Sequence, residues 1–98
     1  MSLRFDEDAR HEYLEAIGFY GRAAERFVQA VDAAIAQIHG DPERFREVEP
    51  GVRSCRVQKF PYSILYTRDN QGLFVLALKH DRRDPDYWRY RVPSTDQG

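Results

Sequence analysis

The chain has one cysteine, Cys55, among its 98 residues. An internal disulfide is impossible, and a reducing compartment, the cytoplasm, is the expected location. There is no CxxC or HxxxH pairing. The three histidines, His11, His39 and His80, are scattered, so no metal site and no cofactor is expected. No glycine-rich phosphate loop and no GxSxG elbow occurs, which removes the usual signatures of nucleotide binding and serine nucleophiles. No apolar run approaches the ~20 residues of a membrane span. The opening Met1-Ser2-Leu3-Arg4-Phe5-Asp6 lacks the apolar stretch of a signal peptide. No membrane association is expected.

What is present is ordinary in amount and uneven in place. Apolar residues make up 42% of the chain and charged residues 32%, enough for one core and one polar surface. The net charge is −1. Residues 1–52 carry six arginines against eleven acids, and residues 53–91 carry nine Arg or Lys against four Asp. The second half is cationic, and such a surface attracts nucleic acid or an acidic protein segment.

The densest pattern lies from Val52 to Arg91. Val52 to Phe60 alternates, with Cys55 and Val57 to one side and Arg56 and Gln58 to the other. Arg53 and Lys59 share parity on that expected strand. Tyr62 to Arg68 is rich in β-favouring residues, with Ile64 and Tyr66 on one face and Leu65 and Thr67 on the other. Leu73 to Leu78 is an unbroken apolar run, as in a strand covered on both faces. Asp69-Asn70-Gln71-Gly72 and Phe60-Pro61 supply the breaks. An antiparallel meander is expected.

Upstream, Leu3-Arg4-Phe5 suits a short edge strand. Asp6 or Asp8 can cap a helix whose apolar positions are Ala9, Tyr13, Ala16, Ile17 and Tyr20. Gly21 marks a break. A second helix, about 23–39, carries Phe27, Val28, Val31, Ala34, Ile35 and Ile38, and Gly40-Asp41-Pro42 stops it. Residues 42–51 read as a connector pinned by Phe45 and Val48, with Glu43, Glu47 and Glu49 solvated. The sum is an α+β two-layer sandwich: a helical hairpin packed on a small antiparallel β-sheet. One domain is expected over 1–98, with its core at about 3–91 and a disordered tail that frays.

The residues that can carry chemistry are cations and aromatics. Metal-free RNA cleavage needs a base for the 2′-hydroxyl, a cation for the phosphate and an acid for the leaving oxygen. Arg56, Lys59, His80, Arg82, Arg83 and Tyr87 are the candidate set. The plainer reading of each stands beside it. Arginines on a strand are usually solvated surface, Tyr87 and Trp88 are more often core plugs, and Tyr62, Tyr66 and Cys55 are structural.

Four stretches together resemble the RelE/ParE superfamily of toxins from bacterial type II toxin–antitoxin (plasmid stabilisation) modules. They are LRFDEDARHEYLEAIGFY…FVQAVDAAIAQI, the strand from Arg53 to Lys59, Phe60-Pro61-Tyr62-Ser63-Ile64-Leu65-Tyr66, and Leu76-Ala77-Leu78-Lys79-His80-Asp81-Arg82-Arg83-Asp84-Pro85. The resemblance covers about 3–91. It implies a growth-inhibiting toxin silenced by a cognate antitoxin protein. RelE-like members cut mRNA in the ribosomal A site, and ParE-like members poison DNA gyrase. Tyr62 is followed by Ser63 where the nucleases often carry an arginine, and the segment His80–Asp84 looks more like the ParE side. The resemblance therefore favours a gyrase-directed toxin. The alternatives are a ribosome-dependent, metal-independent endoribonuclease and a degenerate member that only binds its antitoxin.

Overall fold

The computed structural model describes residues 2–93. The sequence-expected fraying tail falls largely on 94–98, outside the described residues. The elements in order are strand β1 (Ser2–Phe5), helix α1 (Glu7–Tyr20), a 3-10 turn (Gly21–Ala23), helix α2 (Ala24–Gly40) and strands β2 (Arg46–Glu49), β3 (Val52–Val57), β4 (Tyr62–Asp69) and β5 (Gly72–His80). A last 3-10 turn spans Arg89–Arg91. Among the described residues, no helix is long and apolar enough to cross a membrane.

Asp6 caps α1 by accepting from the backbone N–H of Asp8 and Ala9. Gly21 then breaks the helix at φ 51 and ψ −110, a conformation that only glycine adopts without strain. The chain turns back on itself there. Tyr13 and Phe27 lie 14 residues apart, about 21 Å along a continuous helix. Their rings are 6.1 Å apart, which requires a hairpin. The hairpin buries Ala9, Ala16, Phe27, Val31, Ala34 and Ile38 against one face of the sheet. This is the α+β architecture that the periodicities imply.

The sheet has five strands in the order β1-β5-β4-β3-β2. From β2 to β5 it is the expected antiparallel arrangement, and β1 adds a parallel edge beside β5, making the whole mixed. The stretch read as a connector contains β2. Arg46-Glu47-Val48-Glu49 has little strand preference of its own, and pairing with β3 imposes the conformation. The first long strand also ends earlier than expected. It stops at Val57, and 58–61 turn the chain, because Pro61 has no N–H to donate to a ladder.

One irregularity governs where functional side chains point. Tyr66 pairs with Val75 and Leu65 with Ala77, so Leu76 is an extra residue in β5, a β-bulge. Before it, Leu73 and Val75 face the helices. After it, Leu78 does. Leu76 and Ala77 both pack on the opposite face with Val52, Leu65 and Trp88. The bulge thus reverses the inward and outward parity of everything that follows.

Candidate functional site: the open face of the sheet and its C-terminal brace

The helices cover one face of the sheet. The other face is partly covered by the segment after β5, with Trp88 buried and Tyr87 and Val92 packed beside it. A groove of about 640 Å³ remains open there, lined by Arg46, Ser54, Arg56, Ser63, Lys79 and Asp81, with Leu65 in its floor and Trp88 in its wall. Strand register builds it. Arg56 lies opposite Ser63 on β4, and Ser63 lies opposite Lys79 on β5. A second row places Arg46 opposite Ser54.

Arg56 is not a free cation. Its two terminal nitrogens donate to both oxygens of Asp81 at 2.8 and 2.9 Å. The hydrogen bond from Arg56 is the main cause holding the Asp81 carboxyl below its usual range, and it raises Arg56 in turn. Arg89, also on this face, is held by Glu49 at 3.0 Å and Asp86 at 3.4 Å.

The six candidate residues do not converge. Arg56 alone lines the open-face groove. His80 follows Leu78 on the helix side, because the bulge shifted the parity. There it lines a second groove of about 370 Å³ with Glu12, Phe19, Tyr62 and Arg83. Its ring stands edge-on to Tyr62 at 5.0 Å, and its Nδ1 accepts from the Arg82 backbone N–H at 3.0 Å. Lys59 belongs to no strand. It sits in the β3–β4 turn at φ 71, beside Tyr20, Arg26 and Phe60. Its expected alignment with Arg53 is therefore wrong, since the strand ended two residues before it. Arg82 is exposed in the loop after β5. Arg83 stacks its guanidinium 3.8 Å from the centre of the Tyr87 ring. The Tyr87 hydroxyl is buried near Glu12. Desolvation first and the Glu12 carboxylate second push its pKa above the tyrosine range, which keeps it protonated.

The most connected polar residue lies outside the six candidates. Arg91 is buried, with 9% of its surface exposed. It donates to both oxygens of Glu12 at 3.1 and 3.0 Å, to the Leu76 carbonyl at 3.0 Å and to the Tyr90 hydroxyl at 3.3 Å. Tyr90 in turn donates to Asp8. Burial works against the charged guanidinium. The hydrogen bonds of Glu12 and Tyr90 outweigh it and raise the pKa. Glu12 also accepts from the Leu78 backbone N–H at 3.1 Å. These contacts have one origin. β1 ends at Phe5, and Asp6 N–H to Val75 carbonyl is the last bond along that edge. Beyond it, the bulged β5 would leave buried backbone groups unpaired. Glu12 and Arg91 take them up. In the sequence Arg91 is one more cation of the aromatic tail, and its buried role gave no signal because its partner is 79 residues away.

Among the described residues, no cluster of His, Cys, Asp or Glu is arranged to hold a metal ion. Cys55 is buried on the helix face, and desolvation, the larger effect, raises its thiol pKa.

Comparison with known proteins adds one finding. No curated protein matches the chain. A family model does match, described as ParE toxin of type II toxin-antitoxin system, parDE, and it aligns with residues 3–85. That span runs from β1 through the helical hairpin and the sheet to the loop after β5, so the chain belongs to the ParE toxin family of type II toxin–antitoxin systems.

Proposed function

We propose that this toxin arrests growth by protein contact, with DNA gyrase as its target, and that it does not cleave mRNA. A cognate antitoxin is the partner that family membership implies. One observation carries the choice between the two modes: the groups a metal-free ribonuclease would need are split between the two faces of the sheet, and Arg83, the cation that shares a groove with His80, is stacked on Tyr87 and faces Glu12. Arg56 and His80 line grooves on opposite faces of the sheet. Lys59 sits in the β3–β4 turn and lines neither groove. The Tyr87 hydroxyl is buried, and desolvation raises its pKa. A general base and a phosphate-binding cation act together only when both reach one substrate, within about 3 Å of the reacting atoms. The one cation of the set in the open groove is already bound by Asp81.

The test is inducible expression in a bacterial host, with transcripts mapped during arrest. Growth arrest with intact mRNA and a DNA-damage response is the expected result. Codon-positioned cuts in translated mRNA would replace this reading with the nuclease. Unaffected growth would indicate a chain that only binds its antitoxin.

A further inference from the structure

We propose that the open-face groove binds an extended acidic peptide segment of a protein partner, and that Asp81 fills the place of one partner carboxylate while the groove is empty. The inference rests on the protein-contact reading above and adds the surface and the chemistry it recognises. Arg56 presents its planar fork to Asp81 with two short bonds, the geometry by which arginine reads a carboxylate. Both side chains of the pair are about half exposed, 53% and 42%. Exposed pairs of this kind contribute little to stability, so an incoming carboxylate can displace Asp81 at small cost. Two strands across from Arg56, roughly 10 Å away at the usual strand spacing, stands Lys79. Its ammonium donates to the His80 carbonyl at 3.4 Å and, among the described residues, is in no ion pair within 4 Å. Ser63 lies between the two, a hydroxyl donor in the same row. A chain with carboxylates spaced along one side matches this row.

The lining selects a peptide over a nucleic acid. Glu47, Asp81 and Asp86 share the groove with its cations, and a continuous phosphate backbone would meet all three. Single-stranded nucleic acid also needs open aromatic faces for its bases. The one tryptophan on the groove, Trp88, is only 3% exposed.

Trp88 is the single tryptophan of the chain, so its fluorescence reports on the groove. The full-length protein is titrated with hexaglutamate, with hexalysine as control and with a ten-nucleotide oligouridylate. Saturable binding is expected for hexaglutamate alone. Lys79→Met should weaken it about fivefold, the upper end for one exposed ion pair. Asp81→Asn, which releases Arg56, should tighten it about threefold, whereas a merely structural Asp81 would leave it unchanged or weaker. Overturning results are no saturable binding, an unchanged or weaker Asp81→Asn variant, or tighter binding of the oligouridylate, which would make this a nucleic-acid surface. No gyrase enters the titration. A failed titration beside intact gyrase inhibition counts against the groove alone, and the converse counts against the gyrase reading alone.

Discussion

At the scale of single residues, Arg91 and Tyr66 carry consequences that a sequence scan does not show. Arg91 is buried against Glu12, and removing one partner of a buried ion pair leaves the other charge uncompensated. Arg91→Met should cost about 3–5 kcal/mol in urea unfolding. Combining it with Glu12→Leu should recover part of that loss, because no lone charge then remains. Tyr66 is 1% exposed, and its hydroxyl donates to the Pro42 carbonyl at 2.6 Å. Burial, its largest influence, pushes its pKa up to about 12. A tyrosine with a raised folded pKa binds its proton more tightly in the folded chain. Its contribution is complete below pH 10 and is lost as the pH rises towards 12, at roughly 3 kcal/mol for a two-unit shift. Tyr66→Phe should therefore be less stable than the parent at pH 8 by about 1 kcal/mol. That gap should close near pH 11 and reverse by pH 12, because only the parent loses stability as Tyr66 ionises, as read from urea midpoints at each pH.

At the scale of elements, the glycines of the helical hairpin make a matched pair. Gly21 holds φ 51 with open space around it, so an added methyl group meets no neighbour and the cost is purely conformational. Gly21→Ala should destabilise by about 1–2 kcal/mol. Gly18 lies within α1, also with open space, and Gly18→Ala should stabilise by about 0.5–1 kcal/mol. Thermal unfolding of the two variants should move in opposite directions. Both helices, the break between them and the buried central strand were legible in the sequence, since each rests on periodicity or on a glycine or proline. The strand β2 was not, because Arg46-Glu47-Val48-Glu49 takes its conformation from its neighbour. Nor was the bulge at Leu76. An apolar run reads the same with or without one extra residue, yet that residue moves His80 to the helix side and Lys79 to the open face. The candidate site was therefore readable as a list of residues and not as a geometry.

Over the whole molecule, the charge asymmetry of the sequence has a different meaning once folded. The acidic first half and the basic second half pair with each other. Arg53 meets Glu47, Arg68 meets Glu43, Arg83 and Arg91 meet Glu12, and Arg89 meets Glu49. Most of these pairs are exposed and contribute at most about 1 kcal/mol each. Their larger effect is on the surface field, because the cations expected to form a broad basic face are largely matched within the chain. Salt should thus alter folding stability little, while it weakens partner binding at the few open cations, Arg46 and Lys79 among them. Comparing urea midpoints with hexaglutamate affinity at low and high salt separates the two effects.

The gyrase-contact mechanism is tested by a supercoiling assay with purified gyrase, run in parallel with programmed ribosomes carrying mRNA. Under it, supercoiling stops at saturating toxin and the ribosome-bound mRNA stays intact. Unimpaired supercoiling together with cut mRNA would contradict it, and would mean that the dispersed cations and His80 are brought together by the ribosome.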